Sequence, residues 1–130
     1  MTGRIVHFEV PYDDAGRARE FYSGLFGWKL EEAPGMDYTM VTTGPVSEQG
    51  MSSEPGYING GMMRRQAPTE HPVLVMDVDD IDATLAAVAE RGGSTVVPRQ
   101  PVGEMGFMAY FNDCEGNLMG LWQTARPQGG

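Results

Sequence analysis

Hydrophobic and polar residues follow the same order twice along this chain. One segment starts at His7, reads HFEVPYDD and continues into a helical run that ends at Gly27; the other starts at Val73, reads VLVMDVDD and continues to Gly93. A chain that repeats one unit in this way is expected to fold as two similar modules around a shared surface. We expect the functional residues to line that surface.

The first segment alternates with a period of two, which predicts a half-buried strand. Val6, Phe8 and Val10 form the apolar face of this strand and are expected to pack on a helix. His7 and Glu9 lie on the other face, so they are the first candidates for a functional site.

A helix is predicted after each repeated strand. Asp13 or Asp14 would cap the first helix and Asp79 or Asp80 the second, because a carboxylate accepts hydrogen bonds from the free N–H groups of the first turn. Apolar residues then recur at helical spacing. They are Ala15, Ala18, Phe21, Tyr22 and Leu25 in the first helix and Ile81, Leu85, Val88 and Ala89 in the second.

Each helix is followed by three predicted strands, so that each half reads strand–helix–strand–strand–strand. The strand of residues 58–64 contains Gly60 and Gly61, which weaken strand pairing but let another group approach the backbone closely. The segment 43–57 is rich in Gly, Ser, Pro and Glu and is predicted to be a mobile loop at the rim of the site. The other predicted strands are 28–30 and 36–42 in the first half and 73–78, 94–97, 107–111 and 117–123 in the second.

Composition limits the class of protein. The 130 residues suffice for one ordinary domain, and the formal net charge of −9 argues against nucleic-acid binding, which requires basic residues. No apolar run approaches the roughly 20 residues of a membrane span. The chain has one cysteine, so no internal disulfide is expected and a cytoplasmic location is predicted.

Two motifs accompany the repeated unit, HFEVPYDDAGRAREFYSGLFGW near the start and NDCEGNLMGLW near the end. Together they resemble the vicinal oxygen chelate superfamily, the group of glyoxalases, bleomycin resistance proteins and extradiol dioxygenases, over about residues 4–123. The closing motif matches the D-x-[DE]-G-N signature of the superfamily with Asp113, Glu115, Gly116 and Asn117. The resemblance implies an α+β fold of two βαβββ modules whose curved mixed sheets surround a cleft.

In this fold residues 1–124 would form a single domain, with module one at about 4–64, module two at about 73–123 and a flexible tail at 125–130. The superfamily also implies a homodimer, since two chains often build the cleft jointly.

The resemblance also implies where a metal would bind. In the metal enzymes of the superfamily the ligands come from the first strand, from the end of the first module, from the matching strand of the second module and from the last strand. His7 occupies the first position, but the second-module positions map to Val73 and Gly120, which have no ligand side chain. The end of the first module maps to 59–61, where Asn59 is a poor ligand for transition metals and two glycines follow. We therefore expect no metal, and we expect the glycines to make room for an organic ligand.

Five residues are candidates for binding that ligand: His7, Glu9, Met62, Leu118 and Trp122. His7 and Glu9 would anchor polar groups, Met62 would adapt to an irregular ligand, and Leu118 and Trp122 would provide an apolar and aromatic wall. Each has an alternative structural interpretation: His7 as a hydrogen-bonded histidine of the core, Met62 as a gap-filling core residue and Trp122 as a core aromatic.

The main functional hypothesis is a small-molecule binding protein of the glyoxalase and bleomycin-resistance type without a catalytic metal or another cofactor. The alternative is a glyoxalase-type lyase or isomerase, or a dioxygenase, that uses a divalent metal such as Zn²⁺, Ni²⁺ or Fe²⁺. A third possibility is a non-catalytic interaction module. The sequence leaves the ligand unnamed and leaves open whether any reaction is catalysed.

Overall fold

The computed structural model describes residues 3–33, 38–44 and 57–125. The predicted loop 43–57 and the predicted tail 125–130 lie mostly outside these residues. The order of elements in the first half is β1 (Ile5–Tyr12), α1 (Ala15–Phe26), β2 (Lys29–Glu32), β3 (Tyr38–Thr42) and β4 (Asn59–Arg64). In the second half it is β5 (Val73–Asp77), α2 (Ile81–Glu90), β6 (Ser94–Val102), β7 (Gly106–Asn112) and β8 (Leu118–Thr124). Each half is a βαβββ module, so the predicted α+β fold class is confirmed.

The chain divides into two compact units. Val6–Pro72 forms the first unit, and the residues from Val73 onward form the second together with the described N-terminal residues up to Ile5. The N-terminal residues join the second unit through the backbone: Gly3 N donates to Asp77 O at 2.6 Å, and Asp77 N donates to Arg4 O at 2.9 Å. The first unit therefore begins two residues later than the predicted start of module one at residue 4.

In the first unit the strand order is β2-β3-β4-β1, with β1 parallel to β4 and β3 antiparallel to both of its neighbours. Helix α1 covers one face of this sheet. The buried core of that face is Tyr12, Val41 and Met62, and the partly buried residues packed against it are Phe8, Val10, Ala15, Ala18, Tyr22, Trp28 and Leu30. The predicted apolar face of β1 is thus confirmed at Phe8 and Val10, whereas Val6 is 40% exposed.

Only part of the apolar stripe predicted for α1 packs against the sheet. Ala15, Ala18 and Tyr22 face the sheet, but Phe21 and Leu25 remain 55% and 64% exposed. At about 100° of rotation per residue, these two side chains lie on the flank of the line formed by the other three. The spacing of Phe21 and Leu25 is helical, but only the centre of the stripe contacts the sheet.

In the second unit the strand order is β5-β8-β7-β6, with β5 parallel to β8 and β7 antiparallel to both of its neighbours. Helix α2 packs on one face of this sheet, where the buried residues are Ile81, Leu85, Ala109, Phe111 and Leu121. A separate apolar cluster of Val73, Val75 and Tyr110 lies on the other face.

The helix caps follow from the sequence. Asp14 Oδ1 accepts from Arg17 N at 3.0 Å, and Asp80 Oδ1 accepts from Ala83 N at 3.1 Å, so the second aspartate of each pair is the cap. Gly27 ends α1 in the left-handed region at φ 70°, as glycine does without steric cost. In the described part of the chain, neither helix is long and apolar enough to cross a membrane.

Candidate functional site

The face of the first sheet opposite α1, here called the His7 face, carries the polar residues of β1. In the parallel register of β1 and β4, His7 lies beside Asn59 and Glu9 lies beside Gly61. Side chains on neighbouring paired positions of a sheet point to the same side, so these four positions share the His7 face. His7 is partly buried, and Glu9 is only 9% exposed. The structure thus brings His7 and Glu9 together, as the alternation of β1 predicts.

Tyr38, at the start of β3, completes the polar part of this face. Its hydroxyl lies 2.8 Å from His7 Nε2, and the two rings are nearly parallel, with an interplanar angle of 14°. The same hydroxyl is hydrogen-bonded to the side chain of Glu9. The three residues His7, Tyr38 and Glu9 form one hydrogen-bonded group, here called the polar triad.

Gly61 is the residue that makes room for Tyr38. A Cβ atom at position 61 would lie 1.7 Å from the Tyr38 hydroxyl oxygen and 2.0 Å from the ring carbon that carries it. Any side chain at this position would therefore displace the phenol. The Gly60–Gly61 pair was predicted to admit a close neighbour, and the structure identifies that neighbour at position 61 as Tyr38.

The expectation that Gly60 or Gly61 opens space for a ligand is wrong. A Cβ atom at Gly60 would lie 2.3 Å from the carbonyl oxygen of Phe8, and the space at Gly61 is filled by Tyr38. At Gly120 the nearest atom would be Val75 Cγ2, at 3.0 Å. At Gly60 and Gly61 a neighbouring group of the same unit thus occupies the volume that the missing side chain leaves, whereas at Gly120 a Cβ atom would be in tight contact with Val75.

Burial sets the charge of the polar triad. Desolvation lowers the pKa of His7 to about 4, so the imidazole is neutral near pH 7. Burial also raises the pKa of Tyr38, and the negative charge of Glu9 and its hydrogen bond to the phenol raise it further. The phenol consequently stays protonated. The triad therefore combines a neutral imidazole and a neutral phenol with the side chain of Glu9.

The other candidate residues lie elsewhere. Met62 is paired with Val10 and is 1% exposed in the core beneath α1, so it is on the opposite face of the sheet from His7. Its side chain fills the core, which is the structural alternative considered for it. The number of methionines in the sequence does not indicate which face of the sheet Met62 occupies.

Leu118 and Trp122 belong to the second unit. Both are partly buried and pack against the cluster of Val73, Val75 and Tyr110. Trp122 also donates from Nε1 to Thr124 Oγ1 at 3.0 Å. Each residue thus contributes to the apolar packing of its own sheet, and their role in ligand binding stays a prediction.

Val73 and Gly120, the two second-module positions that would hold a metal, have no ligand side chain, and their surroundings are apolar. Val73 is 1% exposed, and its neighbours in the cluster are Val75 and Tyr110. At Gly120 the space of a missing side chain is bounded by Val75, Tyr110 and Val73, at 3.0–3.6 Å from the position of a Cβ atom. A metal ion requires nitrogen, oxygen or sulfur ligands, so these surroundings do not fit one.

Among the described residues, no group of three or more His, Cys, Asp or Glu side chains is arranged to hold a metal ion. His71 and Cys114, the remaining imidazole and the thiol, are both exposed. The donor set of the described residues therefore does not fit the divalent metal that the superfamily implies.

The closing motif has a structural role. Asp113 Oδ1 accepts hydrogen bonds from Glu115 N at 2.8 Å and from Asn117 N at 2.9 Å, while Asp113 Oδ2 accepts from Asn117 Nδ2 at 3.1 Å. These bonds lower the pKa of the Asp113 carboxyl. The motif thus shapes the turn that leads from β7 into β8.

Comparisons with known proteins agree with this architecture. The bleomycin resistance protein-like N-terminal family matches residues 4–44. A glyoxylase-like domain-containing protein of Didymella fabae is 34% identical over 90% of this chain and 91% of its own length. CFP32 of Mycobacterium bovis, which carries a provisional glyoxylase name, is 31% identical over 89% of this chain, and the match spans 44% of the length of that relative.

The fold is also found in a solved structure. A variant of methylmalonyl-CoA epimerase from Streptomyces coelicolor, in complex with 2-nitronate-propionyl-CoA, superposes with a TM-score of 0.64 at 18% identity. The superposition covers 97% of this chain and 100% of the epimerase chain. Given the duplicated βαβββ modules and these relatives, the chain belongs to the vicinal oxygen chelate superfamily and is of the glyoxalase and bleomycin-resistance type.

Proposed function

We propose that this protein binds a small organic molecule without a catalytic divalent metal. The observation that carries the proposal is the apolar packing around Val73 and Gly120, where the metal enzymes of the superfamily would have ligands. One imidazole, His7, remains at the corresponding position of the first module. A single imidazole is too weak a site to hold Zn²⁺, Ni²⁺ or Fe²⁺ without further ligands.

The His7 face supports the binding role. A ligand site needs a few polar groups that fix orientation within mostly apolar surroundings. The polar triad supplies such groups on β1 and β3, which are parts of a hydrogen-bonded sheet and hold their side chains in defined positions. His7 and Glu9 are therefore proposed as polar anchors of the ligand on this face. A role of Leu118 and Trp122 as apolar ligand contacts is a separate proposal.

A metal-dependent lyase, isomerase or dioxygenase is the second candidate function. The retained His7 and the glyoxylase names of two relatives favour it. In such an enzyme the metal would polarise neighbouring oxygens of the substrate, and His7 and Glu9 are the side chains of the His7 face that would hold it. If the His7→Ala variant kept the full turnover or ligand binding of the wild type, this candidate would be excluded.

Native mass spectrometry of the untagged protein, purified without chelators, tests the proposal. The mass spectrum is expected to show either the bare chain or the chain with a bound organic molecule. Chelator treatment is expected to leave the measured mass unchanged. A stoichiometric mass increase that corresponds to one divalent metal and disappears with chelator would refute the metal-free function. The same spectra test the proposed homodimer, and fractionation of cells tests the proposed cytoplasmic location.

A further inference from the structure

The side-chain amide of Asn59 has a defined orientation on the His7 face. Asn59 is the first residue of β4 and lies beside His7 in the register of β1 and β4. The backbone N of Thr43, directly after β3, donates to Asn59 Oδ1 at 2.7 Å. A backbone N–H can only donate, so the amide atom that faces it must be the oxygen. The nitrogen Nδ2, with its two hydrogens, is therefore left for other partners.

Thr43 also holds this orientation in place through its side chain. Its Oγ1 donates to the carbonyl oxygen of Ile58 at 2.8 Å and lies 3.3 Å from Asn59 Oδ1. The residue that follows β3 is thus bonded to both residues at the start of β4. A side chain that is already fixed before a ligand arrives loses little conformational entropy on binding.

Asn59 Nδ2 is accessible from solvent. It has no hydrogen-bond partner in the described part of the chain, and Asn59 itself is only partly buried. Within the same residues, the buried side-chain atom that lacks a partner is Tyr57 Oη, so Nδ2 is not enclosed by protein. The amide thus presents an N–H donor that is held in position, unpaired and open.

The same face also presents an apolar side chain. Met40 of β3 lies beside Gly61 in the antiparallel register of β3 and β4, and it is 48% exposed. A methionine side chain is flexible and polarizable, so it adapts to apolar groups of varied shape. The His7 face therefore combines a fixed N–H donor with an exposed apolar contact.

We propose that Asn59 determines which ligand the His7 face takes: Nδ2 donates a hydrogen bond to a carbonyl or carboxylate oxygen of a small organic molecule, and Met40 contacts the apolar part of that molecule. A ligand that covered Nδ2 without an acceptor would leave a buried donor unpaired, which weakens binding by about 5–150-fold. This inference rests on the proposed function, since it assigns the organic ligand to the His7 face.

Two probes of similar shape test the need for an acceptor. Acetophenone has a carbonyl group where ethylbenzene has a methylene group. Each is titrated into ¹⁵N-labelled protein, in which Asn59→Asp assigns the Nδ2 signals among those of the three asparagines. Acetophenone is expected to shift the Asn59 Nδ2 signals in a saturable way, and ethylbenzene is expected to bind at least about 5-fold more weakly. Equal affinity for the two probes, or no response of Nδ2 to acetophenone, would overturn the proposal.

Asn59→Asp tests the residue itself, because it retains the oxygen that accepts from Thr43 and replaces the N–H donor with an acceptor. Binding is followed by the methyl signal of Met40, which Met40→Leu assigns. The variant is expected to bind acetophenone about 5–150-fold more weakly and to lose the preference over ethylbenzene. Asn59→Ala also removes the donor and serves if Asn59→Asp folds poorly. Wild-type affinity for acetophenone in the folded variant would overturn the role of Asn59.

Asn112→Asp is the matched control. It makes the same change of side chain and charge on β7, in the second unit, and should leave the Kd of acetophenone unchanged. Metal content is measured on the same samples. A stoichiometric divalent metal would refute the proposed function, whereas metal-free protein that binds the two probes equally would refute only the inference about Asn59.

Discussion

Gly61 and Tyr38 are predicted to be energetically coupled. The substitution Gly61→Ala should destabilise the wild type, but it should be neutral or stabilising when the Tyr38 ring is absent. In the wild type, Gly61→Ala would place a Cβ atom 1.7 Å from the Tyr38 hydroxyl oxygen, which forces the phenol away from His7 and Glu9. In a Tyr38→Ala background the obstructing ring is gone. The same Gly61→Ala substitution should then fit the strand without a clash.

The magnitude follows from the groups involved. Displacing the phenol breaks its bonds to His7 and Glu9, and a typical hydrogen bond contributes about 0.5–1.5 kcal/mol. If the phenol is instead unable to move away, overpacking costs roughly 1–3 kcal/mol, so in either case we expect Gly61→Ala to destabilise the wild type by about 1–3 kcal/mol. In the Tyr38→Ala background the substitution should be neutral or stabilising by up to about 1 kcal/mol, because alanine loses less backbone entropy than glycine.

Urea unfolding of the four proteins in this double-mutant cycle measures the coupling directly. Gly60→Ala is the matched control, because its Cβ atom would lie 2.3 Å from the backbone oxygen of Phe8, which Tyr38→Ala leaves in place. The Gly60→Ala penalty should therefore be the same in both backgrounds, within about 0.5 kcal/mol. If Gly61→Ala destabilised both backgrounds equally, Tyr38 would not be the reason for glycine at position 61.

Three further predictions concern the rest of the molecule. Folding lowers the pKa of His7, so the unfolded chain takes up a proton at a higher pH than the folded chain does. The free energy of unfolding should therefore fall as the pH drops from about 6.5 toward 4, by about 2 kcal/mol between pH 7.5 and 5. His7→Gln should flatten this dependence in urea titrations, whereas His71→Gln should retain it, and a wild-type stability independent of pH over that range would contradict the neutral imidazole. Val73→Ala should lower the free energy of unfolding by about 2 kcal/mol, because it loses buried apolar surface and leaves a cavity. An unchanged urea midpoint would show that the cluster around Val73 is not packed as described. Asp14→Ala and Asp80→Ala should each cost about 1 kcal/mol as helix caps, while replacing the preceding residue of each pair should cost less.

The architecture was largely predictable because its signals are local and repeated. The period-two alternation of β1 fixed which residues face α1, and paired aspartates marked both helix starts within one residue. Phe21 and Leu25 belong to the predicted apolar stripe but stay exposed, because periodicity shows that a residue is on the apolar side of a helix but not how wide the contact with the sheet is. The inclusion of residues 3–5 in the second unit depends on backbone hydrogen bonds to β5, which leave no pattern in the sequence.

The site was predictable only in part. His7 and Glu9 share a face because they are two residues apart on one strand, which the sequence shows directly. Tyr38 is distant in sequence, and its approach depends on the register of β3 against β4. Gly61 was the one sequence signal of that approach, but a glycine indicates that space is needed without indicating which group fills it. For the same reason Gly120 was interpreted as open space, whereas Val75 lies against it, 3.0 Å from the position of a Cβ atom.

The central claim is that the second-module metal positions have become part of an apolar core, so that the His7 face acts without a metal. Calorimetric titration of the untagged, metal-free protein with Zn²⁺ and Ni²⁺ tests it most directly, with His7→Ala as the matched variant. We predict at most weak binding, with no stoichiometric step, and similar heats for the wild type and His7→Ala. A one-to-one, tight binding step in the wild type that His7→Ala abolishes would contradict the claim.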